Sequence, residues 1–368
     1  MSQSVRSSDI LQEHTVVDVD VHPSYRDRVI VEKVAERLDS PYDMQFGDPT
    51  SVDASYPTDA FPKGVPGKVD VTGRLVDVEE ELLKPHGEAG IDYAILNILA
   101  QIDALPETER TLQEMRAYND VLLEHYLEDH DNLFGLARVT TRDVEAAVDE
   151  IDRVRGEDSF VGVLIVHGSS EPRLGHETYD PIYDAADAAD FPVVFHTGAA
   201  NHVLHPKFPL PSWDFEKFLP IHTLSHPFAH LVTVASLMTN GTPAKFPDLD
   251  FVFLEAGIAW ILTAMYRLNR DYGQRRWDAP LLEQPPESYI RDQFYFGTQP
   301  LDEPNNRGHL TQIVDMVGPE SLMFSTDHPH FDFDNPGAVV DEAFGHLEES
   351  DLERVLSGNA RDVFGVPA

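Results

Sequence analysis

The sequence contains no cysteine, little lysine and no long apolar run. With 0 Cys among 368 residues, the chain has no disulfide and no zinc site built from thiolates. Any bound metal must therefore use histidine and carboxylate ligands. No apolar stretch reaches the about 18 residues of a membrane span, which predicts no contact with a membrane. The first residues, MSQSVRSSDILQEH, lack the apolar core of a secretory signal, and we expect a cytoplasmic protein.

Basic residues are scarce as well. The 27 Lys and Arg stand against 65 Asp and Glu, which gives a net charge of −38. Because nucleic-acid binding needs a basic face, this balance predicts no nucleic-acid partner. Such a charge is typical of disordered chains, but 42% hydrophobic residues and 20 Phe predict a packed core. The acidic composition with only 7 Lys suggests the hypothesis of a halophilic protein, in which salt screens the self-repulsion.

Short apolar runs alternate with amphipathic stretches, which is the pattern of parallel α/β folds. Eight runs are predicted strands, and eight is the strand number of the (β/α)8 or TIM barrel. Amphipathic helices are expected at 107–130, 143–155, 178–190 and 305–317. The predicted strands are 15–21, 92–99, 133–139, 160–166, 191–196, 249–255, 294–297 and 321–326.

The organisation predicts one domain. Residues 1–14 are expected to form an N-terminal tail and residues 15–368 a single barrel, because no repeat or shift in composition divides them. The segment 24–75 is rich in Pro, Gly and Asp and follows the first strand. It is predicted to be an insertion, and it is a candidate cap for the pocket because loops after barrel strands carry the active site.

Polar residues stand at the carboxyl ends of several predicted strands, where barrel enzymes carry their catalytic groups. The first strand ends in DVDVH, and period-two alternation predicts that Asp18, Asp20 and His22 share one face. Strand five ends at His196, directly after an apolar run. Each signal alone has an ordinary alternative, since acids at a strand end can be solvated and a lone histidine there is usually a hydrogen-bonded core residue.

Two carboxylates also follow apolar runs: Glu255 after strand six and Asp327 after strand eight. A buried carboxylate is costly unless it is paired or bound to a metal, although Glu255 could instead stabilise a helix that begins near Ile258. Together, the polar residues at four strand ends offer only nitrogen and oxygen donors, which suits zinc or another divalent first-row ion. They are Asp20, His22, His196, Glu255 and Asp327.

On these motifs the chain resembles the amidohydrolase superfamily, in its amidohydrolase-2 branch of aminocarboxymuconate-semialdehyde decarboxylase-like enzymes. VDVDVHP, FPVVFHTG and LMFSTDHPH resemble the family's strands one, five and eight. The likeness extends to near the C-terminus but is poor over 24–75. It implies one divalent ion, with zinc expected and manganese or another first-row metal as the alternative. The implied ligands are Asp20, His22, His196 and Asp327. No lysine ends strand four, where related binuclear enzymes carry a carboxylated lysine.

Position 255 favours one reaction of this family over another. Its decarboxylases carry a histidine there, whereas hydrolase-like members carry glutamate. We therefore predict a hydrolase, in which Asp327 takes a proton from metal-bound water that attacks an amide, ester or lactone carbonyl. Glu255 would orient the water or substrate, or protonate the leaving group. The alternatives are a metal-dependent non-oxidative decarboxylase of a carboxylic acid, for example an aromatic one, and a non-catalytic binding protein.

Substrate contacts are harder to predict. His226 lies in an HPF segment that the family often uses to line its pocket, His167 follows strand four, and Trp213 offers an apolar wall. We expect a small-molecule substrate at these residues. The resemblance also implies a homodimer or a higher homo-oligomer.

Overall fold

The computed structural model describes residues 7–23, 33–34, 36–38, 78, 82–84, 90–99, 102–104, 108–167, 170–197, 218–330 and 334–367. Most of the predicted insertion 24–75 lies outside the described residues, and so does Trp213.

Eight parallel strands form one sheet whose order follows the chain. Each lies within three residues of its predicted bounds. Val21 bridges to His328, and the Val19 N–H donates to the Phe324 carbonyl, so the first strand meets the last and the barrel is nearly closed. The predicted (β/α)8 fold is confirmed. The strands are β1 Val17–Val21, β2 Tyr93–Leu96, β3 Leu133–Arg138, β4 Phe160–His167, β5 Val193–Thr197, β6 Phe251–Leu254, β7 Phe294–Gly297 and β8 Leu322–Met323.

Helices connect the strands, and the four helical stretches predicted from the sequence are present. Within the segment predicted as a tail, residues Ser7–Glu13 form a helix whose Leu11 is buried. Among the described residues, no helix has the length and apolar character needed to cross a membrane. The helices are α1 Ser7–Glu13, α2 Thr108–Leu122, α3 Val144–Val154, α4 Asp180–Ala188, α5 Phe218–Thr239, α6 Thr242–Lys245, α7 Ala259–Gln274, α8 Pro286–Gln293, α9 Gly308–Val317, α10 Pro336–Val339, α11 Glu349–Glu353 and α12 Asn359–Phe364.

The strands bury both of their faces. Val194 of β5 and Leu164 of β4 belong to an inner cluster that also receives Phe364 of α12. Phe195, the next residue along β5, packs outward in the larger cluster that contains Tyr183 of α4. Because side chains alternate along a strand, the residue two positions after Val194 faces the barrel axis at the carboxyl end of β5.

Strand β1 departs from strict alternation. Val19 packs in the inner cluster but Val21 in the outer one, and the pairing with β2 shifts register between Asp18 and Val21. An irregularity of this kind redirects the side chains that follow it. The prediction of one shared face for the acidic residues of β1 is therefore wrong, and the Asp18 carboxylate accepts hydrogen bonds from Thr326 N at 3.1 Å and Oγ1 at 2.6 Å.

Candidate active site

The four predicted metal ligands lie together at the carboxyl end of the barrel. Asp20 and His22 come from the end of β1, His196 from β5, and Asp327 from the loop after β8. One ligand atom from each lies within 4.8 Å of the others, and all four side chains are buried. The barrel thus brings residues that are 307 positions apart in sequence into one cluster of two carboxylates and two imidazoles.

Both histidines of this cluster are held by their Nδ1 atoms. His22 Nδ1 lies 3.2 Å from the Asn97 carbonyl oxygen, and His196 Nδ1 lies 2.8 Å from the Thr197 carbonyl oxygen. Because a carbonyl can only accept, each Nδ1 carries the proton that it donates there. This tautomer directs Nε2 of both rings toward the carboxylates, which is the usual arrangement of metal-binding histidine.

The Nε2 atoms converge on carboxylate oxygens. His22 Nε2 lies 2.7 Å from Asp327 Oδ1 and 3.4 Å from Asp20 Oδ1, and His196 Nε2 lies 3.2 Å from Asp20 Oδ1. Burial would lower the pKa of His196, but Asp20 and Glu255 outweigh it and raise that pKa to about 10. Since a metal-binding imidazole must be neutral, a cation bound at this cluster would displace a proton.

The buried carboxylate of Asp20 indicates that a metal ion fits this cluster. Its side chain is fully buried, and among the described residues its Oδ2 atom has no hydrogen-bond partner. A buried carboxylate oxygen without a partner is costly, and a divalent cation removes that cost. The two carboxylates and two imidazoles therefore form a buried site that could bind one metal ion.

Asp18 has a different environment from its neighbour Asp20. Burial raises the pKa of Asp18 to about 7, although hydrogen bonds from Thr326 and from the Asp20 N–H act in the opposite direction. The carboxylate ties β1 to the segment after β8 and is not one of the clustered ligand atoms. Its role in the described structure is to hold the two ends of the barrel together.

Glu255 lies beside the ligand cluster, at the end of β6. Its Oε2 is 3.3 Å from both Thr197 Oγ1 and His196 Nδ1, and its Oε1 is 3.4 Å from His226 Nε2. Burial favours the neutral acid, but the two imidazoles outweigh it and hold the pKa of Glu255 below its usual range. The carboxylate is thus ionised and paired, with the predicted substrate contact His226 of α5 at its other side.

Glu255 and Asp327 also share an unusual backbone conformation. Their φ angles are 61° and 62°, in the left-handed region that residues with a side chain seldom adopt. Residues held in this region cluster at functional sites, where the surrounding structure enforces the conformation. The conformation turns each residue sharply out of its strand end and supports a functional role for both carboxylates.

His330 was not assigned a role from the sequence, yet it joins the site. Its Nδ1 lies 2.6 Å from Asp327 Oδ1, and its ring stacks on that of His22 with centroids 4.1 Å apart. Ligand atoms of Glu255, Asp327 and His330 form a second buried group within 4.8 Å. Asp327 therefore belongs to both groups, and the HPH sequence that follows it was the available signal.

Two buried amide side chains that contact the ligand carboxylates were also not predicted from the sequence. Asn97, after β2, donates from Nδ2 to Asp20 Oδ1 at 2.8 Å, and Gln299, after β7, donates from Nε2 to Asp327 Oδ2 at 3.3 Å. Each is a polar residue at the end of an apolar strand, which is the same signal that identified the ligands. Of the other predicted substrate contacts, the His167 side chain and Trp213 lie outside the described residues.

The fold and this site define a TIM-barrel protein with a buried Asp/His centre that could hold one metal. The sequence profile of the family described as Amidohydrolase matches residues 17–366. The chain belongs to this family, which confirms the predicted resemblance, and it is an enzyme of the amidohydrolase superfamily.

Several relatives share most of their length with the chain. Gamma-resorcylate decarboxylase from Rhodococcus jostii (strain RHA1) is 27% identical over 330 residues, which cover 82% of this chain and 92% of that protein. Gamma-resorcylate decarboxylase from Polaromonas sp. (strain JS666) is 25% identical over 301 residues, or 80% of this chain and 90% of that protein.

Solved structures share the fold. The 5-carboxyvanillate decarboxylase from Sphingomonas paucimobilis superposes with a TM-score of 0.70 at 18% identity, covering 96% of this chain and 99% of that one. The dihydroxybenzoic acid decarboxylase from Polaromonas sp. JS666, solved with manganese and 2-nitroresorcinol, has a TM-score of 0.65 at 18% identity and covers 96% of this chain and 97% of that one.

The predicted hydrolase reaction is wrong, because the relatives that match along the chain are decarboxylases. The prediction rested on Glu255 in the place of a histidine. One position is a poor guide to the reaction when neighbouring elements can supply the same chemical group. Here the imidazole of His226 lies 3.4 Å from the Glu255 carboxylate, so the residue type at 255 alone does not report which proton-carrying groups surround it.

Proposed function

We propose that the protein is a metal-dependent, non-oxidative decarboxylase of hydroxylated aromatic carboxylic acids, with 2,6-dihydroxybenzoate (γ-resorcylate) as the first substrate to test. The observation that carries the proposal is the similarity to gamma-resorcylate decarboxylases over 92% of a relative's length. The buried Asp/His cluster supports it, because it offers the ligands of a divalent ion.

Asp20, His22, His196 and Asp327 are the proposed ligands of this ion. Manganese is the metal to test first, since a related decarboxylase structure contains it and carboxylate ligands suit it. Bound there, the ion would supply positive charge that binds and polarises oxygen atoms of the substrate. Zinc, expected from the sequence, is the second metal to test.

The reaction needs one proton and no oxidant or reductant. A C–H bond forms at the ring carbon that carries the carboxylate, the bond to the carboxylate carbon breaks, its electron pair returns to the ring, and CO2 leaves. The protein must therefore anchor an anionic substrate and hold an acid beside the reacting carbon.

Asp327 is the proposed proton donor. It belongs both to the ligand cluster and to the group formed with Glu255 and His330, so a proton can reach it from a neighbouring side chain. His330 Nδ1, at 2.6 Å from Asp327 Oδ1, is placed to return a proton to it after each turnover. Glu255, which lies 3.3 Å from His196 Nδ1 and 3.4 Å from His226 Nε2, is proposed to keep these two imidazoles oriented.

The test incubates manganese-loaded protein with 2,6-dihydroxybenzoate and 5-carboxyvanillate, and follows loss of the acid and appearance of the decarboxylated phenol by chromatography. A matched set of aryl esters and lactones tests hydrolysis. Asp327→Asn, which keeps the shape of the side chain, is the control for the site. Turnover of esters or lactones without loss of CO2 from any hydroxybenzoate would contradict the proposal.

A further inference from the structure

We propose that Asn97 is a positioning residue of the metal centre, which orients the carboxylate of Asp20 and anchors the ring of His22. It lies directly after β2 and is fully buried. The inference rests on the metal centre of the proposed function. It adds a residue outside the ligand set whose effect is on how tightly the ligands hold the metal.

The chemistry of the partners fixes the direction of the Asn97 amide. Asp20 carries an ionised carboxylate that only accepts, so the atom 2.8 Å from its Oδ1 must be the amide nitrogen. The backbone of the same residue also contacts β1. The Asn97 carbonyl accepts from His22 Nδ1 at 3.2 Å, and the Asn97 N–H donates to the Val21 carbonyl at 2.9 Å. Asn97 thus contacts two proposed ligands, Asp20 and His22, and the strand β1 that carries them.

The consequence concerns the two oxygens of Asp20. Oδ1 receives the Asn97 amide and faces His196 Nε2 at 3.2 Å, whereas Oδ2 has no partner among the described residues. Asn97 therefore holds the carboxylate in the rotamer that leaves Oδ2 for a cation. Without the amide, Asp20 Oδ1 keeps only its contacts with the two imidazoles, and fixing the orientation of the carboxylate lowers the free energy available for metal binding.

Asp327, the other carboxylate ligand, has a similar arrangement. Gln299 follows β7, the strand beside β8, as Asn97 follows β2, the strand beside β1. Its Nε2 donates to Asp327 Oδ2 at 3.3 Å, which is longer than the Asn97 bond. The shorter distance and the additional contact with His22 make Asn97 the amide with the larger expected effect on metal affinity.

The competing explanation is that Asn97 is only a satisfied buried amide of the core. Asn119 in α2 is a matched control for that role. It is also buried, and its Nδ2 donates to a buried carboxylate, Glu150 Oε1, at 2.7 Å. Neither Asn119 nor Glu150 belongs to the ligand cluster. A purely structural role predicts that the two asparagines behave alike.

The experiment measures Mn2+ affinity by calorimetric titration of metal-free protein, for the wild type, Asn97→Leu and Asn119→Leu, with thermal unfolding of each metal-free protein. Loss of a group that orients a ligand weakens binding on the order of 10–100-fold. We expect a loss of this size for Asn97→Leu and wild-type affinity for Asn119→Leu, even if both variants lower the unfolding temperature.

An unchanged Mn2+ affinity in folded Asn97→Leu would overturn the inference while leaving the metal centre and the proposed function intact. Equal losses in both variants would overturn it too, because they would show a general effect of core substitutions. Absence of Mn2+ binding by the wild type would overturn the metal centre itself. If Asn97→Leu does not fold, Asn97→Ser gives the same comparison, with an expected smaller loss because the hydroxyl keeps a donor.

Discussion

Acidification is expected to destabilise the fold through His230. This residue of α5 is fully buried, its Nε2 lies 2.7 Å from the Leu254 carbonyl oxygen, and its ring packs against Trp260 and Phe253. Burial, reinforced by the charges of His196 and His226, lowers its pKa from 6.5 to about 3, against the opposing effects of the Leu254 hydrogen bond and Glu255. The neutral imidazole is therefore part of the folded structure.

The sign and size follow from the two pKa values. Above pH 6.5 the ring is neutral in both the folded and the unfolded chain, so it adds no pH dependence. Below that pH the unfolded chain binds a proton that the folded chain excludes, and stability falls as the pH falls, until about pH 3. Each pH unit costs about 1.4 kcal/mol, so the loss from this group at pH 5 is about 2 kcal/mol.

Urea unfolding of the wild type and His230→Phe at pH 7.5 and pH 5 measures this loss. The variant keeps an aromatic ring but removes the hydrogen bond to the Leu254 carbonyl, which costs about 1 kcal/mol at both pH values. We expect the wild type to lose about 2 kcal/mol more than the variant between the two pH values, because only the wild type carries the titrating ring. Equal losses would refute the reasoning, since other titrating groups are common to both proteins.

Three further predictions concern the metal centre. Asp327→Asn should lower kcat by about 10²–10⁴-fold, because it removes the proposed proton donor. If this variant kept both full turnover and full metal content, Asp327 would be excluded from the site. Removing the metal with a chelator should abolish turnover. It should also lower the free energy of unfolding by about 2.7 kcal/mol relative to protein in free Mn2+ at 100 times its Kd. Restoration of activity by Mn2+ checks reversibility, and full activity in the chelated protein would refute a role for the metal. Asn97→Leu should weaken Mn2+ binding on the order of 10–100-fold, while Asn119→Leu should not, as calorimetry can measure.

Much of the fold follows from local patterns in the sequence. The strands are short apolar runs bounded by polar residues. Because both faces of each strand are buried in a parallel barrel, these runs are nearly continuous and can be recognised in the sequence. The ligand cluster could be predicted for a related reason. His196 and Asp327 end apolar strands, and the carboxyl ends of all strands meet at one face of the barrel.

Other features depend on contacts between strands and leave no local pattern. The register shift in β1 separates Asp18 from Asp20 through pairing with β2, which alternation along one strand does not reveal. Asn97, like His196, is a polar residue at the end of an apolar strand. Its importance depends on the Asp20 carboxylate that it contacts on the neighbouring strand, which the sequence does not reveal. The reaction was mispredicted because Glu255 was considered alone, without the imidazole of His226 that α5 brings to its carboxylate.

The measurement that tests the central claim most directly is an isotope balance in D2O. Manganese-loaded protein is given 2,6-dihydroxybenzoate labelled with 13C in its carboxylate, and the gas and the aromatic product are analysed by mass spectrometry and NMR. The account predicts 13CO2 in equal amount to 1,3-dihydroxybenzene that carries one deuterium at the carbon that lost the carboxylate. Intact acid and no 13CO2 with this and the other hydroxybenzoates, from protein that binds the metal and hydrolyses an ester or lactone, would contradict it.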